Sequence, residues 1–390
     1  MVNEPQEALR MRVESVLKMI EANIATASVQ ESGCRVLQKV AADGAASQAE
    51  VIAQGGLQAI LRALSKHREA AGVQVAGCFA LVAVLEHSGV SENQNILAEF
   101  DSLSVIMKAM EEHIAAAAVQ EAACLALVRI VARDAEAQAR AAALSGIQAV
   151  VRGMEAHPHV APVQIAGCRA LKELAAYNSD NQAEIASSSG VQAVLHAMET
   201  HLAVPGVQEV GCGVLRNMAA CNAHYQTGIA SLGGIHVVLT AMATHLNAAK
   251  VQWAGCWALF CLVVHNAAVR GEVLAVGGIH AVVGAMQVHL ADASVQEAGC
   301  WAVKELALDG AFVQAELTCL GGIEVIQSAM GQHPQAANVQ TACRGALKVL
   351  VSRGGSRTKA TANLQGCRAA NAAKEKHQFS ATRVLPTVFE

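Results

Sequence analysis

Histidine and cysteine are the side chains best equipped for chemistry, and in this 390-residue chain both recur on a fixed ruler. Val-Gln pairs begin at positions 29, 73, 119, 163, 207, 251, 295 and 339, and seven of them carry a cysteine five residues after the valine: Cys34, Cys78, Cys124, Cys168, Cys212, Cys256 and Cys300. Six residues before the valine stands His67, His113, His157, His201, His245, His289 or His333. Thiols and imidazoles in numbers suggest zinc or nucleophilic catalysis. Zinc, however, needs its ligands about 2 Å from one ion, and one histidine per repeat separates them by a repeat width. The ladder predicts a structural role instead: each imidazole closes a helix C-terminus, where it can bond free carbonyls and oppose the helix dipole. The cysteines follow the same logic. Equivalent helices of a stack lie roughly 8 to 10 Å apart, whereas a disulfide needs Cα atoms within about 7 Å. The seven ladder cysteines are thus expected to be unpaired, buried, small hydrophobic residues of a reducing compartment.

Local groupings add little chemistry. Cys256, Cys261 and His265 form a C-x4-C-x3-H run, yet on a helix the two cysteines point about 140° apart and only Cys261 and His265 share a face. The Gly-Gly pairs precede helices as phosphate loops do, but lack the lysine and hydroxyl of G-x-x-x-x-G-K-[ST] and fit better as helix breaks. No Ser-His-Asp or Cys-His grouping stands out from the ladders. The expectation is a protein without catalytic residues, metal or cofactor, and not an enzyme.

The elements that must position these residues follow from the spacing itself. The Val-Gln interval is 44 residues six times and 46 once. Three residues before the histidines come Met110, Met154, Met198, Met242, Met286 and Met330, with Leu64 in the same place in the earliest copy. Seventeen before the valine stands Gly56, Gly146, Gly190, Gly234, Gly278 or Gly322, with Ser102 as the exception. The unit ending near Ala220 shows the grammar. A short polar-faced helix is expected over Asn178 to Ser187, a second over Val191 to His201 with Val191, Val194, Leu195 and Met198 on one face, a turn over Leu202 to Gly206, and a third helix over Val207 to Ala219. Apolar residues make up 53% and aromatics only 3%, a composition of small side chains that lets helices pack closely. A repeat array grows its core along one axis, so one elongated domain is expected. No run of 18 apolar residues occurs, and Glu4, Glu7 and Glu14 argue against a signal peptide, which points to a cytoplasmic protein.

The wording G-I-x-A-V-x-x-A-M before the turn and V-Q-x-A-G-C-x-A-L-x-x-L after it resembles the armadillo repeat of importin-alpha, beta-catenin and many scaffolds, over about residues 5 to 351. The resemblance implies an all-α, right-handed superhelical α-solenoid with three-helix repeats of about 44 residues, whose third helices line a concave groove that binds peptides or proteins. It also divides the chain into an N-terminal partial, capping repeat (1–42), seven repeats (43–351) and a tail (352–390). The unit over 87–132 departs from the pattern with two extra residues and Asp101-Ser102 in place of Gly-Gly. The last unit moves its cysteine to Cys343 and puts Arg344 at the usual cysteine position, as a cap would. The tail holds seven Lys or Arg against two Glu, and ends in the apolar FSATRVLPTVF, a candidate second contact.

Importin-alpha members present a tryptophan six residues after the Val-Gln valine and an asparagine ten after it, which together bind basic peptides. Here those places hold Arg35 and Lys39, Phe79 and Ala83, Leu125 and Arg129, Arg169 and Glu173, Gly213 and Asn217, Trp257 and Cys261, Trp301 and Glu305, Gly345 and Val349. No unit has both residues. The groove offers instead an aromatic cluster, Trp253, Trp257, Phe260 and Trp301, in two adjacent third helices, with Trp253 expected to be exposed because Glu31, Glu121, Glu209 and Glu297 hold its place elsewhere. Before it along the groove comes a basic strip, Arg129, Arg169, Lys172 and Arg216, joined by Asn217, suited to acidic residues. The acidic body and the lack of a continuous basic track argue against nucleic acid. The function expected is a non-enzymatic scaffold for a peptide or protein surface; the alternatives are a structural subunit of a large assembly or an importin-alpha-like transport adaptor.

Overall fold

The computed structural model describes residues 6–86, 90–220 and 222–352. Every regular element among them is a helix, and they fall into two compact units, Met1–Met218 and Ala219–Glu390. Unit 1 opens with the pair α1 (Gln6–Ala22) and α2 (Ala27–Ala41). Triplets follow: α3 (Ala45–Ala53), α4 (Gly56–Lys66) and α5 (Ala71–Val84); α6 (Val90–Glu99), α7 (Ser102–Glu112) and α8 (Ala117–Val131). The unit continues with α9 (Ala135–Ala143), α10 (Gly146–Ala156) and α11 (Ala161–Ala175), then α12 (Ser179–Ser187), α13 (Gly190–Thr200) and α14 (Pro205–Ala219). Unit 2 holds α15 (Ala223–Ser231), α16 (Gly234–Thr244) and α17 (Ala249–Val263), then α18 (Ala267–Ala275), α19 (Gly278–Val288) and α20 (Ala293–Leu306). It closes with α21 (Ala311–Cys319), α22 (Gly322–Gln332) and α23 (Ala337–Ser352). The all-α, three-helix repeat is thus the architecture the spacing called for. Within unit 1 the third helices stack α2 on α5, α5 on α8 and α8 on α11; within unit 2 they stack α17 on α20 and α20 on α23. Among the described residues no single helix is long and apolar enough to cross a membrane.

Capping chemistry sets the boundaries, and moves some of them from their expected places. The Asn178 side chain accepts a bond of 3.0 Å from the Asn181 N–H, so Asn178 caps α12 rather than joining it. His201 is the C-cap of α13, one residue beyond the helix. Pro205 begins α14, because a proline loses nothing at a first helical position whose N–H has no intrahelical partner. His265 stands beyond the end of α17 with φ of 57°, so it shares no helical face with Cys261.

The two-residue junction between first and second helices, Gly-Gly in four repeats, acts through two separate constraints, seen at Ser189-Gly190. The first position is left-handed, with φ of 60° at Ser189. At the second, a Cβ would stand 2.9 Å from the Ile185 carbonyl oxygen of the preceding helix, which favours glycine by close approach. The glycine that stands four residues after six of the eight Val-Gln valines has a third use. A Cβ on Gly167 would meet Met154 Cγ at 2.5 Å, and Gly211, Gly255 and Gly299 stand in the same relation to Met198, Met242 and Met286. The methionine ladder is therefore the second helix's knob, and the missing side chain on the third helix is its hole.

The glutamine of Val-Gln is the principal polar device of the fold, and the sequence pattern did not disclose it. In every repeat its amide donates two bonds to carbonyls at the end of the second helix. Gln164 reaches Met154 O at 2.9 Å and His157 O at 2.9 Å, and Gln30, Gln74, Gln120, Gln208, Gln252, Gln296 and Gln340 repeat the geometry. In each repeat the histidine carbonyl also accepts from a backbone N–H of the turn, as His157 O does from Val160 at 3.1 Å, so the glutamine adds a second donor at the helix end. A first-helix glutamine does the same for the third helices: Gln182 bonds Ala175 O on α11 at 3.0 Å and Asn217 O on α14 at 3.2 Å.

With those carbonyls occupied, the histidines do something other than cap their own helix. His157 Nε2 lies 2.8 Å from Ile114 O in the turn of the preceding repeat, and His67, His113, His201, His289 and His333 make the equivalent bond. Each imidazole is thus a staple between repeats. The ladder cysteines are buried thiols outside any disulfide. Burial disfavours the thiolate and pushes Cys34, Cys124, Cys168 and Cys212 up to about 12, with Cys78 raised for the same reason.

Candidate protein-binding site

The outward face of each third helix is set by the spacing of its buried one. In α11 the residues Val163, Ala166, Cys168, Ala170, Leu171 and Leu174 are buried, leaving Ile165, Arg169 and Lys172 to point away from the core. The corresponding residues of α17 are Trp253, Trp257 and Phe260, and those of α20 are Glu297, Trp301 and Lys304.

In unit 1 the basic strip is partly neutralised by its own surroundings. Arg129 Nη2 lies 3.1 Å from Glu86 Oε1, and Lys172 Nζ lies 3.2 Å from Glu173 Oε1. Arg169 is exposed and makes no ion pair with a described residue. Arg216 donates from Nε to Asn217 Oδ1 at 3.2 Å, and Asn217 in turn donates from Nδ2 to Lys172 O at 2.9 Å. The Asn217 amide therefore braces two third helices. Gly213, at the tryptophan position of α14, has no Cβ, and Lys172 Cδ lies only 3.0 Å from where one would stand. The lysine stem rests on α14 and leaves its charged head at the rim.

In unit 2 three of the four aromatics meet. Phe260 packs edge-on against Trp257 with ring centroids 5.4 Å apart, and sits tilted against Trp301 at 6.1 Å. The row therefore runs from α17 to α20 within one unit. All three rings are half-buried, and Trp253, one turn earlier on α17, is half-buried as well rather than exposed, as are Glu121, Glu209 and Glu297 at its equivalent places. Two residues extend the row that its sequence reading omitted. Lys304 Nζ lies 4.6 Å from the Trp301 ring centroid, and Glu305 Oε1 lies 3.7 Å from the same ammonium with its side chain almost fully buried. The signal available in the sequence was spacing, since Lys304 follows Trp301 by three residues, one helical turn. Lys304 also mirrors Lys172: its Cδ lies 3.4 Å from where a Cβ on Gly345 of α23 would stand.

Such a surface offers π faces, a cation at their rim and a buried carboxylate behind it. Among the described residues no group of three His, Cys, Asp or Glu stands close enough to hold a metal ion. Arg344 is exposed at the start of the last turns of α23, while the tail contact expected of 352–390 lies, beyond Ser352, outside the described residues.

Comparison with known proteins places this arrangement. No curated protein sequence matches the chain. Solved structures share the fold: an engineered protein superposes with a TM-score of 0.54 at 18% identity over 88% of this chain and 100% of its own. The designed armadillo repeat protein YIII(Dq)4CqI gives 0.55 at 17% identity over 64% of this chain and 98% of its own. A related design, YIII(Dq.V1)4CPAF in complex with the peptide (KR)4, gives 0.54 at 17% identity over the same shares. At the level of sequence, the family model described as LRRK2 ARM repeat matches residues 11–224 and 191–364. Three-helix units, ladders at armadillo positions and a family match along most of the chain agree, and the chain belongs to the LRRK2 ARM repeat family.

Proposed function

We propose that this protein is a non-enzymatic scaffold that holds a peptide or a protein surface against its third helices, with the row Trp257, Phe260 and Trp301 as the anchor. The observation that supports this reading is the row itself: three half-buried aromatic rings in mutual contact on the outward face of two neighbouring helices. Large rigid rings supply much contact area at little cost in side-chain entropy, which is why tryptophan is enriched at binding hot spots. Lys304 at the rim favours a partner that brings a carboxylate beside an apolar or aromatic side chain. In unit 1, Arg169 favours acidic partners too, and Arg129, Lys172, Arg216 and Asn217 form the rest of that surface. The basic tail, which ends in an apolar segment, supplies a second contact.

A transport adaptor of importin-alpha type is less well supported. Neither tryptophan of the row has an asparagine four residues on, and the Asn217 amide is already engaged by Lys172 O. The architectural alternative has no residue in its favour beyond the tail.

Peptides selected from a random display library against the full-length protein provide the test. The double variant Trp253→Ala with Trp257→Ala should weaken a selected peptide by about 30-fold, equivalent to about 2 kcal/mol, with helicity unchanged by circular dichroism. Undiminished affinity in a folded double variant would remove the row from the binding surface.

A further inference from the structure

The last repeat breaks the cysteine ladder in a way that creates a new pair. Its cysteine stands four residues after the valine instead of five, with Arg344 in the ladder position. Position four is where Gly167, Gly211, Gly255 and Gly299 admit a methionine from the second helix. A cysteine there points along a different bearing, about 100° round the helix from the ladder, and Cys343 Sγ accordingly lies 3.4 Å from Cys300 Sγ, a sulfur–sulfur hydrogen bond between α23 and α20. Both thiols are fully buried. The spacing argument that keeps the ladder cysteines apart applies to equivalent positions and does not reach this pair.

We propose that Cys300 and Cys343 form an oxidisable dithiol, a modification site at which a low-molecular-weight disulfide such as glutathione disulfide closes a covalent bridge between α20 and α23. A disulfide requires the two sulfurs to approach to about 2.05 Å, a shift of roughly 1.4 Å from where they stand, within reach of side-chain rotation and a small helix adjustment. Either sulfur can donate in this bond; with Cys343 as acceptor the bond lowers the pKa of Cys343, whereas the same bond together with burial raises that of Cys300. Cys343 is accordingly the attacking group. Its thiolate attacks one sulfur of the small disulfide and releases one thiolate, leaving a mixed disulfide on Cys343. Cys300 then gives up its proton and attacks the Cys343 sulfur, releasing the second thiolate. Two protein thiols are oxidised by two electrons, and one disulfide is reduced to two thiols.

Burial makes the reaction wait on an opening of the packed helices. Arg344 and Val351 of α23 are exposed, and a helix with part of its face open to solvent opens more readily than one packed on every side. Closure of the bridge removes that opening and fixes α23 beneath the Lys304 stem.

The test uses the full-length protein equilibrated in glutathione buffers of increasing disulfide fraction, then alkylated and digested with trypsin without reduction. Cleavage after Arg270, Lys304 and Arg344 places Cys300 alone in one peptide and Cys319 with Cys343 in the next. Fragmentation of the linked species therefore identifies the partner. The expected result is a Cys300–Cys343 link that grows with oxidant, reverses with dithiothreitol and raises the melting temperature of the oxidised protein. The variant Cys343→Ala with Arg344→Cys keeps the cysteine count and restores the ladder register, and it should lose the link. Recovery of Cys300 and Cys343 as alkylated thiols or as separate glutathione adducts, or a link to Cys319 instead, would overturn the proposal. So would equal bridging in the register-restored variant.

Discussion

The two residues after which each repeat could be named, histidine and glutamine, bond to backbone carbonyls in different surroundings, and the difference sets what each is worth. Gln164 is buried, and its amide is the partner of Met154 O and His157 O. Gln164→Leu keeps the volume but removes two buried hydrogen bonds, leaving Met154 O and His157 O only their backbone donors, His157 N and Val160 N, a loss of roughly 1 to 3 kcal/mol for two bonds at about 0.5 to 1.5 kcal/mol each. The His157 bond to Ile114 O is exposed, so water replaces it in His157→Ala at a cost of about 0.5 to 1 kcal/mol. Urea midpoints of the two variants should differ accordingly, and an equal loss would mean that the imidazole packs as much as it bonds. The buried thiols make a separate prediction about pH. Below about 8.5, the ordinary value for a free cysteine, folded and unfolded chains both hold the proton and pH has no leverage. Above it the unfolded chain ionises while Cys34, Cys124, Cys168 and Cys212 stay protonated to about 12, so stability falls through that window. Each thiol contributes a slope of about 1.4 kcal/mol per pH unit. Cys168→Ala should therefore show a shallower decline between pH 9 and 10 than the parent, measured by urea unfolding, even though it starts less stable.

At the scale of the element, the junction between first and second helix carries local strain in some repeats and not in others. Gly55, Gly233, Gly277 and Gly321 occupy the left-handed position freely, whereas Asp101, Ser145 and Ser189 adopt the same positive φ with a side chain attached. A non-glycine residue there costs roughly 1 to 2 kcal/mol, part of which is returned because glycine loses more backbone entropy on folding. Ser189→Gly should then stabilise the protein by about 0.5 to 1 kcal/mol, read as a raised urea midpoint, and a lowered midpoint would show that the serine hydroxyl has a compensating bond. The adjoining Gly190 tolerates no such exchange in reverse, because a Cβ would meet the Ile185 carbonyl. One dipeptide thus combines a conformational requirement with a steric one, and Ser102 at the Gly190 position of α7 shows that a repeat can adjust to the second as well.

Across the whole molecule, stability is distributed as a sum of repeats and their interfaces, since third helices touch mainly their neighbours in the stack. A defect should therefore stay local. In Gln164→Leu, hydrogen-exchange protection should fall in α10, α11 and the adjoining α8, while α2 and α5 keep theirs. Uniform loss of protection throughout unit 1 would show all-or-none unfolding instead. The same distribution frees the outward faces: with stability carried by the glutamine, histidine and methionine ladders, third-helix surface positions can vary from Arg169 to Trp257 to Trp301 without altering the fold.

The period, the helix count per repeat and the register of the buried faces were legible in the sequence because a 3.6-residue helical pattern and a fixed repeat length are one-dimensional properties. So was the composition of the candidate surface, since Trp257, Phe260 and Trp301 fall at outward places by counting from the valine. What each side chain touches was decided only by the tertiary structure. The histidine ladder looked like helix caps, but Gln74, Gln120 and their equivalents occupy the carbonyls it would have capped, and the imidazoles reach the preceding repeat instead. Trp253 looked exposed by analogy with its glutamate equivalents, but the indole and Glu121, Glu209 and Glu297 at the same place are all half-buried. Lys304 joined the aromatic row, and Cys343 met Cys300, through contacts between or along helices that no ladder position marks. Periodicity tells which way a side chain points relative to its own helix; the packing of the next helix, a matter of ångströms set by glycines and methionines, determines what it meets there.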